Sequence, residues 1–252
     1  MREWICGRNP VYEVLRAKRR QAFRLWVAQG AQEKGRLTEV IRLCRSRKLP
    51  VEIVPRARLD AIAAGHQGVA LEASGYPYAV LQDILLLAEQ RAEPAFALLL
   101  DALQDPQNLG SLLRTAEVVG VHGVVLPLRH TATVTPAVVN ASSGASEHLL
   151  VAQANLTQTI TALQDGGVWV VGLEGDESAL PPEQVRLDGA LALVVGSEGQ
   201  GMRALVRDSC DVLLRLPMRG KIESLNAAVA GSVALYMVWQ ARGFAKLADE
   251  NH

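Results

Sequence analysis

The chain has 252 residues, 49% of them hydrophobic, and its 26 Lys and Arg balance 26 Asp and Glu. This content is sufficient for one large domain or two unequal ones. The three cysteines, Cys6, Cys44 and Cys210, are scattered and indicate neither a disulfide framework nor a zinc site. The N-terminal MREWICGRNP lacks the apolar run of a signal peptide, and the apolar stretch 225–239 is short for a membrane span. We therefore expect a cytoplasmic protein that has no metal and no membrane segment.

Charge is distributed unevenly along the chain. Residues 1–75 contain 15 Lys and Arg against 7 Asp and Glu, and the remaining residues contain 11 against 19. The front segment therefore has an excess of eight positive charges, and the rest has the same excess of negative ones. Such a basic segment is typical of proteins that bind nucleic acid or anionic surfaces, although an ordinary solvated surface explains it equally well.

The front segment alternates strand-like and helical stretches. Residues 33–48 have the apolar spacing of a helix, and strands are predicted over 23–29, 50–55 and 68–73. Turn formers in 74–80 coincide with the change in charge sign. We therefore predict a small α/β domain over 1–75, followed by a linker over 76–94 that contains a helix.

From residue 95 onward, apolar strands alternate with helical stretches. Strands are predicted over 95–103, 123–127, 148–154, 168–174, 191–196 and 212–217. Helices are predicted over 109–119, 135–143, 156–165, 201–208 and 224–245. Strands that are apolar on both faces suit a parallel sheet covered by helices. The fold class is therefore α/β with a mostly parallel sheet over 95–252.

Unusual polar residues follow the first of these strands. Asp105-Pro106 ends the strand, Asn108 is predicted to cap a helix that begins at Leu109, and Arg114 falls on the second turn of that helix. Ligands of open α/β sheets bind beyond the carboxyl ends of the strands. Arg114 is therefore a candidate ligand contact, with extension into water as the alternative.

A glycine-rich turn, Gly196-Ser197-Glu198-Gly199-Gln200-Gly201, follows the apolar run LALVV. Its order differs from the dinucleotide fingerprint, and no Gly-Lys-Ser/Thr of a phosphate loop follows it. Glu198 would repel a phosphate. The turn therefore favours a neutral or cationic ligand that approaches the backbone closely, and the alternative is a tight turn with a solvated carboxylate.

A third polar loop follows the strand 212–217. It contains Met218 and a basic turn, and it ends at Ser224 and Asn226, which are placed to cap a helix or to bind a ligand. From Ala227 onward this helix is apolar nearly all round. It is therefore expected to be buried in the core or in a subunit interface.

Three segments resemble the motifs of the SpoU-type RNA ribose 2′-O-methyltransferases of the SPOUT superfamily. They are DPQNLGSLLRTAEVVGVHGVVLP (105–127), LALVVGSEGQGM (191–202) and LRLPMRGKIESLNAAVA (214–230). ICGRNPVYEVL (5–15) and HQGVALEA (66–73) resemble the L30e-like RNA-binding domain of the ribosomal-RNA branch. The resemblance is greatest to the branch that methylates a guanosine ribose in the peptidyl-transferase loop of 23S rRNA.

The resemblance implies a trefoil knot near the C-terminus, a homodimer formed through the knotted domain, and S-adenosylmethionine as the methyl donor. The donor-binding residues that it implies are Gly196, Leu216, Met218, Ser224 and Leu225. The implied catalytic residues are Asn108, Arg114, Glu198 and Asn226. A guanidinium normally stays protonated, so Arg114 is expected to grip a phosphate or polarise the 2′-oxygen rather than act as a base.

RNA recruitment is assigned to the basic front domain, with phosphate contacts from Arg8, Arg16, Lys18, Arg19 and Arg20. A target 2′-hydroxyl requires RNA, and specific recognition favours a structured loop. Two alternatives remain open at this point. One is methylation of a tRNA ribose, and the other is a non-catalytic RNA-binding or ribosome-assembly protein.

Overall fold

The computed structural model describes residues 2–222 and 224–245. Met1 and residues 246–252, at the ends of the two predicted domains, lie outside the described residues. The chain forms two compact units, one of Met1–Pro77 with Val134–His148 and the other of Tyr78–Thr133 with Leu149–His252. Within the described part of the chain, no helix combines the length and apolarity needed to cross a membrane.

The front unit contains a four-stranded sheet in the order β1-β4-β2-β3. The β2/β3 pair is parallel, and β4 is antiparallel to both β1 and β2. Its strands are β1 (Arg2–Cys6), β2 (Ala22–Ala28), β3 (Val51–Val54) and β4 (Val69–Ser74), and its helices are α1 (Arg8–Ala17), α2 (Arg36–Ser46), α3 (Arg56–Asp60) and α6 (Pro136–Ala141). The predicted strands and the helix over 33–48 are present. Strand β1 and helices α1 and α3 are present without having been predicted.

A buried ion pair connects the two chain segments of the front unit. The Arg20 side chain is fully enclosed, and its Nε lies 2.9 Å from Oε2 of Glu147, which is also fully enclosed. Arg20 Nη1 also donates to Glu3 at 2.8 Å. Removal of one partner of such a pair leaves an uncompensated buried charge, which costs about 3–5 kcal/mol. The pair therefore holds the segment Val134–His148 within this unit.

The second unit contains a six-stranded sheet in the order β10-β8-β9-β5-β6-β7, and all its strand pairs are parallel. The strands are β5 (Phe96–Leu100), β6 (Gly123–Leu126), β7 (Leu150–Gln153), β8 (Trp169–Leu173), β9 (Leu191–Val195) and β10 (Val212–Leu214). Central strands β5, β6 and β9 are buried at every position. Helices on both faces explain this burial, and the predicted α/β fold with a mostly parallel sheet is confirmed.

The helices of the second unit are α4 (Leu81–Gln90), α5 (Pro106–Val118), α7 (Leu156–Asp165), α8 (Ala204–Asp208) and α9 (Ala227–Ala241). Helix α9 packs closely on α5, because a Cβ at Gly231 would lie 2.7 Å from Cδ2 of Leu112. Its opposite side is open, with Val229 49% and Tyr236 44% exposed. The core of the chain therefore buries only one side of this apolar helix.

One predicted helix boundary is wrong. Helix α5 begins at Pro106, and the carboxylate of Asp105 caps it by accepting a hydrogen bond from Gln107 N at 2.9 Å. Asn108 therefore lies inside the first turn instead of at the cap, and its side-chain amide is available for other contacts. Arg114 consequently falls on the third turn and not the second.

The cysteines have structural roles in packing. Cys44 is fully buried on α2, and burial raises the pKa of its thiol to about 11. Burial likewise raises the pKa of the Cys6 thiol to about 11 and that of Cys210 to about 12. These sulfurs therefore remain protonated at neutral pH, and their environment does not favour nucleophilic chemistry.

Candidate functional site

The glycine turn after β9 closes on itself. Ser197 N donates to Gly201 O at 3.0 Å, and Gly201 N donates back to Ser197 O at 3.0 Å. A Cβ at Gly196 would lie 2.2 Å from the carbonyl carbon of Gly201 and 2.4 Å from Met202 N. Both of these atoms belong to the backbone and cannot rotate away. The closed turn therefore requires glycine at position 196.

Asp101, which follows β5, holds the exit of this turn. Its side chain is fully enclosed, and its two carboxylate oxygens accept hydrogen bonds from Arg203 N and Nε, each at 2.8 Å. Its backbone N–H donates to Val195 O at 2.8 Å. Asp101 thus ties both ends of the glycine turn to the central strand. Asp101 is not among the predicted site residues, although an acidic residue directly after a buried strand is a usable signal.

The three polar loops meet at one point. Oε1 of Glu198 accepts from Nδ2 of Asn108 at 2.9 Å and also from Nδ2 of Asn226. Asn226 Nδ2 also donates to Asn108 Oδ1 at 3.2 Å. Asn108 precedes Glu198 by 90 residues and Asn226 by 118 residues. The three side chains come together because the strands that precede them end at one edge of the sheet. Three of the four predicted catalytic residues thus form a hydrogen-bonded cluster, which we call the amide–carboxylate triad.

The cap of α9 orients this triad. The Oδ1 atom of Asn226 accepts hydrogen bonds from Ala228 N at 2.9 Å and Val229 N at 3.2 Å. The side-chain oxygen is therefore committed to the helix N-terminus, and the Nδ2 group faces Glu198. Asn226 consequently caps α9 through its side-chain oxygen and contacts the other two members of the triad through its side-chain nitrogen.

A cavity of about 470 Å³ lies beside the triad. All five residues predicted to hold the donor line it, namely Gly196, Leu216, Met218, Ser224 and Leu225. Glu174 and Glu198 also line it, and none of the described lining residues is Lys, Arg or His. A wall of mixed polarity that carries two carboxylates and no described cation favours a neutral or cationic ligand and disfavours a phosphate. We call this space the donor cavity, after the residues predicted to hold the methyl donor.

Arg114 lies apart from the donor cavity. It is exposed on α5 and is absent from the described residues that line this cavity. It is six residues beyond Asn108, and six residues are not a whole number of helical turns, so the two side chains leave different sides of the helix. The structure does not bring this fourth predicted catalytic residue into the triad.

The residues predicted to contact RNA differ in accessibility. Arg16 and Lys18 are exposed. The Arg8 guanidinium donates to the carbonyl oxygens of Gln67, Lys34 and Gln32, and that of Arg19 donates to the Tyr76 hydroxyl and the Pro77 carbonyl.

The prediction for Arg20 is wrong, because its side chain is fully enclosed by its carboxylate partners. Other exposed cations of the front unit lie outside the predicted set, among them Arg42, Arg45 and Lys48. No group of three or more His, Cys, Asp or Glu side chains suited to a metal ion occurs among residues 2–222 and 224–245.

Fold and site together define an α/β protein with a ligand cavity at the carboxyl edge of a parallel sheet. The profile of the SpoU rRNA Methylase family matches residues 95–236, and that of the RNA 2′-O ribose methyltransferase substrate-binding domain matches residues 4–79. The chain belongs to the SpoU rRNA methylase family and is therefore a methyltransferase. The family assignment made from its motifs is confirmed.

Two relatives resemble the chain over most of its length. The Bacillus subtilis protein YacO, whose name places it in the TrmH family of tRNA/rRNA methyltransferases, is 43% identical over 245 residues, which cover 95% of this chain and 96% of YacO. An uncharacterized tRNA/rRNA methyltransferase of Mycolicibacterium vanbaalenii is 43% identical over 236 residues, covering 92% and 74% of the two chains. The similarity to YacO therefore spans both units.

Two solved structures share the fold. The SpoU methyltransferase AviRb of Streptomyces viridochromogenes, in complex with the cofactor AdoMet, superimposes with a TM-score of 0.79 at 22% identity, covering 97% of this chain and 92% of AviRb. An AdoMet-bound rRNA methyltransferase of Sinorhizobium meliloti gives a TM-score of 0.77 at 21% identity, covering 97% and 88%. At this identity the likeness concerns the fold.

Proposed function

We propose that the chain transfers the methyl group of S-adenosylmethionine to the 2′-hydroxyl of a ribose in structured RNA. The specific target that we propose is a guanosine in the peptidyl-transferase loop of 23S rRNA. The observation that carries the proposal is the amide–carboxylate triad at the rim of the donor cavity. Family membership gives the reaction class, and the triad supplies polar groups where the donor and a target nucleotide would meet.

The donor cavity fits S-adenosylmethionine. Backbone groups at Gly196, Leu216 and Leu225 would hold the adenosine part, with Met218 and Ser224 completing the wall. The bound donor supplies a methyl group on a positively charged sulfur. The carboxylates of Glu174 and Glu198 favour that charge electrostatically, and a volume of about 470 Å³ lies in the range of small-molecule sites.

Arg114 serves the target side of the reaction. Its guanidinium carries five N–H donors and no acceptor, so it grips a target phosphate or polarises the 2′-oxygen and does not remove the proton. Alignment of that oxygen with the methyl group supplies much of the acceleration. Asn108, Glu198 and Asn226 shape the boundary between the donor cavity and the target nucleotide.

The front unit recruits the RNA and is an L30e-like domain in this proposal. The substrate-binding profile over residues 4–79 and the positive charge of residues 1–75 support this role. Arg16 and Lys18 are the members of the predicted set whose charges are exposed. Arg8 and Arg19 contribute the positive charge of their guanidinium groups to the same unit.

Replacement of both Arg16 and Lys18 by Ala is expected to weaken RNA binding about 25-fold at 0.1 M salt. Each lost phosphate contact lowers the slope of the logarithm of the binding constant against the logarithm of salt concentration by about 0.7, which is about fivefold in affinity at this salt concentration. Filter binding of a 23S rRNA transcript at several salt concentrations measures both quantities. The matched control replaces Arg42 and Arg45, two exposed arginines of α2 outside the predicted set. Equal losses in the two double variants would show that the effect is general charge and not a site.

The active form is a homodimer through the second unit, whose C-terminal chain forms a trefoil knot. A groove of about 510 Å³ along α5 and α9 and the exposed Val229, Val233 and Tyr236 support a second copy on this face. The return of α9 from the edge strand β10 to pack on α5 supports the knot. Light scattering of the purified chain measures the oligomeric state directly.

Loss of one ribose methyl group from 23S rRNA is the expected result of deleting the gene. Mass spectrometry of nuclease fragments from parent, deletion and complemented strains checks it. A methyl group lost from tRNA instead would favour the tRNA alternative. If every ribose methyl group of both RNAs is retained, and the purified chain binds no S-adenosylmethionine at millimolar concentration, the proposed transfer to a ribose of either RNA is overturned.

A further inference from the structure

A second cavity lies at the same edge of the parallel sheet as the donor cavity. Its volume is about 610 Å³, and its walls come from the loop after β6 (127–130), the loop and helix start after β7 (154–157) and the start of α8 (203–206). These segments follow strands that end at one edge, where ligands of parallel α/β sheets bind. We call this space the basic cavity.

The charges of the two cavities are complementary to the two proposed substrates. Arg129, His130 and Arg203 line the basic cavity, and none of its described lining residues is acidic. The donor cavity has the opposite character, with two carboxylates and no cation among the described residues that line it. A cationic donor suits the first space, and a polyanion suits the second.

The basic cavity and the donor cavity adjoin each other at the segment 201–203, where Asp101 binds Arg203. Gly201 lines the donor cavity, and Arg203 lines the basic cavity only two residues later, within about 7.6 Å of chain. Buried Asp101 fixes Arg203 through its backbone and its guanidinium. The Asp101 carboxylate pairs with the Arg203 guanidinium, yet the Arg203 side chain remains 55% exposed, so an anchored guanidinium faces the solvent beside the donor cavity.

The basic cavity also presents apolar surface. Leu128 is 66% exposed and Leu205 is 75% exposed, and both line this space. Exposed leucines beside arginines suit a ligand that has both flat apolar faces and negative charges. A nucleotide has both, and unstacked RNA bases also stack on arginine guanidinium planes.

The wall after β6 is held in place before any ligand binds. The carbonyl oxygen of Leu103 accepts from Ala132 N at 2.7 Å and from the Thr131 hydroxyl at 3.0 Å. His130 adopts a left-handed backbone conformation with φ 59°. This conformation is rare for a residue with a side chain, and it persists only where the surrounding structure fixes it.

We propose that the basic cavity binds the RNA strand adjacent to the target nucleotide, with Arg129 and Arg203 on phosphates and Leu128 and Leu205 against a base. This inference rests on the proposed function, because it assigns a subsite to the same RNA substrate. The cavity thereby orients the strand so that the target ribose reaches the triad. Its contribution is to RNA binding and not to donor binding.

Arg129→Glu and Leu205→Glu test the subsite, and Arg186→Glu is the control. Arg186 is also in the second unit, its side chain is 74% exposed, and it lies outside the described lining of the basic cavity. Arg129→Glu and its control therefore change the net charge equally. The probe is a transcript of the peptidyl-transferase region of 23S rRNA, and the readouts are RNA affinity against salt, KM for RNA, donor Kd and melting temperature.

Arg129→Glu is expected to weaken RNA binding at least about fivefold at 0.1 M salt and to lower the salt slope by about 0.7, the value for one single-strand phosphate contact. Leu205→Glu should raise KM for RNA without changing donor Kd or melting temperature. Arg129→Glu values equal to those of Arg186→Glu would overturn the subsite.

Photocrosslinking of a thiouridine-substituted transcript separates failure of the subsite from failure of the proposed function. Crosslinks within 127–130 or 203–206 are expected. A wild-type chain that methylates the transcript but crosslinks only elsewhere would refute the subsite alone, whereas a chain that methylates no RNA would refute the proposed function. Crosslinks from 127–130 to a ribosomal protein in precursor particles, with none to RNA, would make the cavity a protein-docking site and also overturn the inference.

Discussion

Arg114→Ala is expected to lower kcat for methyl transfer by about 100- to 1,000-fold while the donor Kd changes by less than about twofold. The magnitude is that of removing one preorganised hydrogen-bond donor from a transition state. We expect kcat to fall while the donor Kd stays nearly constant, because Arg114 is exposed on α5 and absent from the described residues that line the donor cavity. Single-turnover transfer of radiolabel and calorimetry with S-adenosylmethionine measure the two effects.

Arg114→Lys is the matched variant for this prediction. Lysine retains the positive charge but lacks the planar fork of N–H donors. Partial recovery of kcat would indicate that charge supplies part of the effect, and no recovery would indicate that two-point contact is needed. Equal loss of donor affinity and turnover in the alanine variant would instead mean that Arg114 supports the cavity.

The sequence predicts the second unit well, because its sheet has a simple physical signature. Strands buried on both faces must be apolar throughout, and runs such as LALVV (191–195) are recognisable without any partner. Parallel strands also bring their carboxyl ends to one edge. The meeting of Asn108, Glu198 and Asn226 was therefore predictable as a neighbourhood, but its hydrogen bonds were not.

The errors in the sequence reading arise from competition between local signals and from distant partners. At the start of α5, Asp105 followed by Pro106 is a stronger cap signal than Asn108, since proline favours the first helical position. Helix α1 was detectable from the sequence, because Val11, Val14 and Leu15 have helical spacing, and the structure buries all three.

The burial of Arg20 depends on Glu147, which lies 127 residues away in the chain. No local pattern around Arg20 distinguishes it from exposed Arg16. Asp101 is similar, because its function depends on Arg203, 102 residues away. Long-range polar pairs of this kind decide which charged residues are available to a ligand, and they become visible only when the chain is folded.

Gly196→Ala is expected to raise the donor Kd at least about 100-fold, equivalent to about 2.8 kcal/mol. The added methyl group would lie 2.2 Å from the carbonyl carbon of Gly201, and no side-chain rotation relieves a contact with backbone. The turn must therefore open, which separates Ser197 from Gly201 and displaces the wall of the donor cavity. Calorimetry with S-adenosylmethionine measures the loss, and circular dichroism and melting temperature check that the sheet remains folded.

Gly199→Ala separates this steric clash from the general loss of a glycine in the same turn. Gly199 has φ 76°, and a Cβ there would meet no atom within 4 Å, so alanine adds backbone strain of about 1–2 kcal/mol without a collision. The donor Kd should therefore rise by no more than about 5- to 30-fold. A folded Gly196→Ala chain that binds the donor like the wild type would place the donor elsewhere. Equal losses in the two variants would indicate that flexibility of the turn, and not the close approach at position 196, governs donor binding.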